Sequence, residues 1–187
     1  LAIKPGTGLL MHLSAIHIFP VKGLGGVSVT SARVEPWGLA GDRRWMVVDG
    51  KGRFLSQREC AGLSLISAAP EGDGVRLSRA GRADFLLTPP EGRERLMVTV
   101  WRSTLSAMAA GPEADAWISA AAGRDCRLVH MDDPAGARPV DTAYGRAEDR
   151  VSFADGYPLL VANAASLRDL AVWAEMPLLS MDRFRPN

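Results

Sequence analysis

Leu13-Ser-Ala-Ile-His-Ile-Phe19, Val27-Ser-Val-Thr30 and Arg44-Trp-Met-Val-Val48 are three short runs crowded into the first 48 positions of a 187-residue chain. In the first, Leu13, Ala15, His17 and Phe19 alternate with Ser14, Ile16 and Ile18; in the second, Val27 and Val29 alternate with Ser28 and Thr30. A period of two is the signature of strands whose successive side chains point to opposite faces. Pro20 and the glycines at 23, 25 and 26 punctuate the first pair. Asp49-Gly50-Lys51-Gly52, between Arg44–Val48 and Arg53-Phe-Leu-Ser56, is a hairpin signal. Further runs at Leu63–Ala68, Val75–Ser78, Asp84–Leu87 and Leu96–Trp101 bring the reading to roughly six to eight short strands in about 90 residues. That density predicts a mainly β fold, an antiparallel barrel or sandwich over residues 12–128.

Beyond these strands the pattern changes. Pro112-Glu-Ala-Asp-Ala-Trp-Ile-Ser-Ala-Ala-Ala-Gly123 opens with proline and an acidic turn and stops at glycine, which predicts one short helix. The alanine-rich stretch 107–122 reads the same way, as helix propensity rather than low complexity. Arg127–His130 predicts a strand and Asp132–Gly145, with its prolines, glycines and mixed charges, a long surface loop. Leu159-Leu-Val-Ala162 predicts a buried strand. It is followed by Asn163 as a helix N-cap and by a helix over 164–175 with Leu167, Leu170, Ala171 and Ala174 on one face.

Composition narrows the function classes. Lysine and arginine number 22 against 21 aspartates and glutamates, a net charge of +1 that argues against nucleic-acid binding through a broadly basic face. Cys60 and Cys126 lie far apart with no metal-ligand spacing, so a reducing, cytoplasmic setting is expected and neither a disulfide framework nor a zinc site. The longest apolar stretches, such as Leu105–Ala110, fall far short of the roughly 20 residues of a membrane span. Residues 1–11 read as an extension outside the core, with Met11 a plausible start.

Candidate chemistry sits in four places. Pro20-Val-Lys22-Gly23-Leu24-Gly25-Gly26 sets a lysine in a glycine-rich turn that can cradle an anion or be a plain hairpin. Gly41-Asp42-Arg43-Arg44-Trp45 places two arginines at a strand start, pointing to opposite faces, with Asp42 able to hold one of them. The alternative there is a surface ion pair. Phe153-Ala-Asp155-Gly156-Tyr157-Pro158 is either a ligand-facing turn or a simple strand entry. Arg183-Phe184-Arg185-Pro186-Asn187 sets two guanidinium groups around an aromatic ring and signals an anion site.

Taken in order, Phe19-Pro-Val-Lys-Gly23, Gly38-Leu-Ala-Gly-Asp-Arg-Arg-Trp45, Phe54-Leu-Ser-Gln-Arg58, Phe153-Ala-Asp-Gly-Tyr-Pro158 and Arg183-Phe-Arg-Pro-Asn187 closely resemble the MOSC family, in the subgroup with a MOSC N-terminal β-barrel. The resemblance spans about Met11 to Asn187. It implies that residues 129–187 are the first, incomplete part of a mixed α/β MOSC domain. It further implies molybdenum cofactor (molybdopterin) binding, reduction of N-hydroxylated compounds such as hydroxylamines and amidoximes, and electrons from a haem or iron–sulfur partner. Carried over by position, the cofactor-binding residues are Lys22, Gly23, Arg43, Gly156, Tyr157, Arg185 and Asn187.

One departure bears on activity. The cysteine that ligates molybdenum in the family lies downstream of Arg-Pro-Asn, and neither Cys60 nor Cys126 matches it, so this chain is expected to bind cofactor weakly and to lack turnover. Two other readings follow: a noncatalytic molybdenum cofactor or sulfur carrier module, and a recognition platform whose arginines are surface ion pairs.

Overall fold

The computed structural model describes residues 12–92 and 94–187; the predicted extension over 1–11 lies outside the described residues. The described strands are β1 (Ile16–Ile18), β2 (Val21–Lys22), β3 (Val27–Val29), β4 (Val34–Glu35), β5 (Gly38–Leu39), β6 (Trp45–Val48), β7 (Ser67–Glu71), β8 (Gly74–Ser78), β9 (Phe85–Leu87), β10 (Arg95–Val100), β11 (Ser103–Ala109) and β12 (Arg127–His130). The helices are α1 (Pro112–Ala122), α2 (Pro134–Ala137) and α3 (Ala164–Trp173). The chain is mainly β, as its alternating runs predict.

The central sheet has the order β10-β11-β12-β6-β2. Strands β1 and β3, β4 and β5, and β7, β8 and β9 form three smaller sheets. No closed barrel results among the described residues. Loop residues add isolated bridges to single strands, Gly25 to Ser67 of β7 and Arg53 to Thr99 of β10, and two-residue strands such as β2, β4 and β5 carry too few ladder bonds to continue a ring. The strand pairings are antiparallel as expected with one exception among the described residues: β2 pairs with β6 in parallel, Val21 opposite Trp45 and Lys22 opposite Met46. A parallel pair needs a crossover, and residues 23–44 supply it.

Both faces of the central sheet are covered. Val47, Leu128, Leu63, Ile66, Leu77, Leu87 and Ile118 form one cluster, on the side of α1. Met46, Val48, Val98, Val100, Val129, Met131 and Phe153 form the other. Burial from both sides explains why Trp45–Val48 is a continuous apolar run and not an alternating one. Helix α1 ends as predicted, at Gly123, whose left-handed φ of 70° lets its N–H return to the Ser119 carbonyl.

Three local expectations are corrected. Ala61–Leu65 is a 3-10 turn, with strand pairing only from Ser67 onward, because Ile66 and Leu63 bury by turning inward and not by alternating. Residues 107–109 belong to β11, where Met108 pairs with Arg95 and His130, so tertiary pairing overrides the helix propensity of alanine there. Leu159–Ala162 is exposed and unpaired. No described strand lies alongside it, and the bonds that Leu160 makes with Asn187 do not replace a neighbouring strand that would pair the rest of its backbone and cover its apolar side chains. Helix α3 begins as predicted at Asn163, whose side chain accepts the Ala165 N–H at 2.7 Å, but none of its residues is buried.

Candidate functional site

The turn entering β6 builds the first half of the site. Asp42 is buried and its carboxylate accepts two bonds, from the Phe19 N–H at 2.8 Å and from Arg43 Nη1 at 2.6 Å. Arg43 has a left-handed φ of 49°, uncommon for a residue with a side chain. Both its backbone groups are committed: the N–H donates to the Phe19 carbonyl at 2.8 Å and the carbonyl accepts from the Phe153 N–H at 3.0 Å. The strained backbone thereby aims the guanidinium over the Phe19 ring, 4.7 Å from its centroid. Arg185, also at a left-handed φ of 53°, lies over the same ring at 4.5 Å, and its carbonyl accepts from Arg43 Nη2 at 3.0 Å.

Lys22 forms the second half. Its side chain is only 7% exposed, yet its ammonium has one carboxylate partner, Asp155 Oδ1 at 2.6 Å. The rings of Phe54 and Trp101 lie 4.8 and 5.6 Å from the nitrogen. Trp101 Nε1 donates to the same Asp155 oxygen at 2.9 Å. Burial pulls the Lys22 pKa down to about 8, against the attraction of Asp155, with Arg43 and Arg138 adding repulsion. Arg185 is pulled down to about 10 by burial and by Arg43. Burial opposes ionisation of Asp155, but the Lys22 ammonium and the Trp101 N–H outweigh it and hold the carboxyl below its ordinary value.

Lys22, Arg43 and Arg185 thus gather with two carboxylates, Asp42 and Asp155, and Arg138 adds its charge from the backbone of the Asp155 turn. The surplus is positive, partly withdrawn from water, and presents planar guanidinium groups: a setting for a multivalent anion such as a phosphate ester. The sequence pointed to Lys22, Arg43, Arg185 and the clamp from Asp42. It missed Arg138, Trp101 and the ion pair of Asp155. Arg138 lay hidden in a stretch read as surface loop, and only its place in the folded chain reveals it.

The other predicted residues fall differently. Gly23 is buried at a φ of 101°; a Cβ there would come 3.2 Å from the Leu55 carbonyl oxygen, and its own carbonyl accepts from Gln57 Nε2 at 2.9 Å. Gly156 borders open space. Tyr157 turns away from the cations: its hydroxyl donates to the Asp141 carbonyl at 3.2 Å, and its ring meets Tyr144 edge-on beside a cavity of about 360 Å³. Asn187 braces the chain, donating to the His17 carbonyl at 3.3 Å and accepting from the Leu160 N–H at 3.2 Å. Arg43 and Arg44 do diverge as expected, but from a turn; Arg44 Nε donates to the Met131 carbonyl at 3.0 Å.

The described residues contain no group of three or more His, Cys, Asp or Glu able to hold a metal ion. Cys60 and Cys126 are buried in the core beside α1. Burial pushes the Cys126 thiol up to about 11. No helix among the described residues is long and apolar enough to cross a membrane.

Comparison with known proteins gives a consistent picture. A family model described as the MOSC N-terminal beta barrel domain matches residues 10–125. Mitochondrial amidoxime-reducing component 1 of Mus musculus is 32% identical over 185 residues, covering 94% of this chain and 54% of the mouse protein. The Homo sapiens protein of that name is 29% identical with the same coverage. Molybdenum cofactor sulfurase of Drosophila grimshawi is 27% identical, over 94% of this chain and 23% of the fly protein. The chain therefore spans about half the length of the amidoxime-reducing relatives and about a quarter of the sulfurase.

Proposed function

The chain belongs to the MOSC N-terminal β-barrel family, and from that premise we propose that it is the cofactor-anchoring part of a molybdenum cofactor-dependent reductase of N-hydroxylated compounds. The observation that carries the reading is the convergence of Lys22, Arg43 and Arg185 around Phe19, Phe54 and Trp101. Molybdopterin ends in a phosphate, and guanidinium groups on rigid backbone, with a buried ammonium beside them, match that charge and shape. Arg43 and Arg185 hold the phosphate, and Lys22 contributes charge from below the aromatic rings. Gly156, beside open space, leaves room for the remainder of the ligand, while Gly23, Tyr157 and Asn187 act through the chain they brace, their carbonyl, hydroxyl and amide being bonded within the protein. Residues 129–187 constitute the first part of the MOSC domain.

The fit divides in two. The cationic cluster suits the anionic end of the cofactor. A metal-ligating thiolate does not come from Cys60 or Cys126, whose sulfurs lie in the apolar core. When bound, the cofactor supplies the oxygen-atom and electron chemistry, drawing electrons from a haem or iron–sulfur donor. The protein's part is to neutralise the phosphate, fix its orientation and exclude water with Phe19 and Phe54. Weak retention by these residues alone is expected.

A second reading, a noncatalytic cofactor or sulfur carrier module, is favoured by the equal 94% coverage of this chain in the match to the sulfurase. One experiment separates the two. The chain is incubated with cofactor released from a purified molybdoenzyme, and retained pterin is measured by fluorescence after gel filtration. Retention that falls about tenfold or more in Arg43→Met and Arg185→Met supports the anchoring role, each lost charge-assisted contact contributing roughly 1.5–3 kcal/mol. Hydroxylamine reduction by the loaded chain, with a chemical reductant as electron source, decides for the reductase; retention without turnover, expected of this chain because neither cysteine can ligate the metal, supports the anchoring role common to both readings. Absence of retention overturns both.

A further inference from the structure

Arg138 is a buried arginine in a loop, and all three of its guanidinium nitrogens donate to neutral groups. Its Nε donates to Ser103 Oγ at 3.1 Å, at the start of β11. Its Nη1 donates to the carbonyls of Ser152 at 3.1 Å and Ala154 at 2.5 Å, and its Nη2 to the carbonyl of Asp155. Among the described residues no carboxylate contacts it directly. A guanidinium withdrawn from water without a direct ion pair is costly, and burial pulls its pKa down. That cost is maintained at a place where the chain gains something specific: three carbonyls of one turn, those of residues 152, 154 and 155, and one hydroxyl of the central sheet are tied to one rigid plane.

Those carbonyls belong to the turn that delivers Asp155 to Lys22. Ser152, Phe153 and Ala154 are buried, while Asp155 emerges from them toward the solvent side of the site. The side chain of Asp155 is itself 78% exposed, so its own packing does little to fix it. What fixes it is the backbone beneath. Phe153 N–H bonds the Arg43 carbonyl on one side of that backbone, and Arg138 grips it on the other.

We propose that Arg138 is a positioning residue of the anion site: by clamping the 152–155 turn to Ser103 it holds the Asp155 carboxylate against Lys22 and so sets how readily Lys22 offers its charge to a ligand. This deepens the cofactor-anchoring reading and rests on it for the identity of the ligand. The groups acting on Lys22 are Asp155 from the turn, Arg43 from the β6 entry and Arg138 from the loop, with the Phe54 and Trp101 rings above it.

Positioning and bare charge predict opposite signs. Arg138 repels the Lys22 ammonium weakly, so deleting a mere neighbouring charge raises the Lys22 midpoint. Releasing Asp155 removes the stronger attraction and lowers it. The chain has only three lysines, at 4, 22 and 51. Protein labelled with ¹³C at lysine Cε therefore gives three titration curves, followed by NMR without any ligand. Asp155→Asn is expected to lower the Lys22 midpoint by about one unit. Arg138→Met and Arg138→Lys are both expected to lower it in the same direction, the lysine variant because a single ammonium cannot span the turn carbonyls and Ser103. On the Asp155→Asn background, Arg138→Met should produce no further fall.

A rise in Arg138→Met, an unchanged midpoint, or a full further fall in the double variant overturns the proposal. If Arg138→Met does not fold by circular dichroism, Ser103→Ala, which removes only the hydroxyl anchor, decides: a smaller fall supports positioning and no change overturns it. The cofactor reading is tested separately by adding inorganic phosphate to the unsubstituted chain. A Lys22 resonance that ignores phosphate sinks the anion site and leaves the Arg138 result standing. A phosphate response with an Arg138-independent midpoint does the reverse.

Discussion

Residues 16–131 and residues 132–187 are held together by different physics. The first region closes two apolar clusters around a central sheet, with Val47, Ile118 and Leu128 on one side and Val98, Val129 and Met131 on the other. The second has one small cluster, Val140, Val151 and Ala154, and it sends Phe153 into the core of the first. Past that point apolar residues face outward: Trp173 is 79% exposed and Leu178 95%. The second region attaches to the first through polar anchors, Arg138 on Ser103, Arg185 on Arg43 and Asn187 on His17. The candidate site lies on that seam, so the same contacts that can hold a ligand also hold the two regions in register.

The largest effect expected from this contrast is on global stability. Ile118 is fully buried between α1 and the sheet, and Ile118→Ala should cost about 2–5 kcal/mol in denaturant unfolding, through lost transfer energy and the cavity left behind. Leu170, on the apolar face of α3, is 37% exposed and should cost under about 0.5 kcal/mol when replaced by alanine. Equal losses in the two variants would break the comparison, since the face of α3 would then have to be covered in the folded protein.

At the seam the expected effect is smaller and depends on pH. The folded-state pKa of Lys22 is lowered to about 8 from an ordinary 10.5. A lysine so shifted binds fewer protons folded than unfolded between those values. Its burial therefore costs stability at neutral pH, and the cost is relieved as pH rises from about 8 toward 10.5. Lys22→Met should be more stable than the unsubstituted chain at pH 7 by on the order of 1–3 kcal/mol, and the difference should shrink by pH 10. Urea midpoints of the two proteins across that range give the answer. A difference independent of pH would place the ammonium in contact with water and sharpen the seam into an open surface.

What was legible in the sequence follows the range of the forces. Strands announced themselves where alternation or a doubly buried run was local, as at β1, β3 and β6. The 3-10 turn at Ala61–Leu65 did not, because its burial comes from Ile118 and Ala122 arriving from elsewhere in the chain. Lys22, Arg43 and Arg185 stood out because each sits among glycine, proline or aromatic residues that give its charge an unusual setting. Asp155 could be seen as part of a turn but not as the partner of Lys22, which lies 133 positions away. Arg138 left no sign at all. Its partners are chiefly backbone carbonyls, which every residue carries, so no side-chain pattern could mark them.

The smallest effects sharpen the comparison at two helix ends. Gly123 terminates α1 at a φ of 70°, and a Cβ there would meet nothing within 4 Å. Gly123→Ala therefore adds only the backbone cost of a left-handed alanine, about 1 kcal/mol. Because α1 packs on the core, that cost should appear in the global unfolding midpoint. Asn163 caps α3 through the Ala165 N–H, and Asn163→Ala removes about 0.5–1 kcal/mol of helix stability. Helix α3 buries no residue, so its ends can open without disturbing the sheet. The loss should leave the global midpoint unchanged and appear as faster amide exchange from Ala165 to Leu170, measured by NMR. A midpoint that moves equally in both variants would mean that α3 unfolds with the sheet, and the two regions would then be one cooperative unit joined by more than the polar seam.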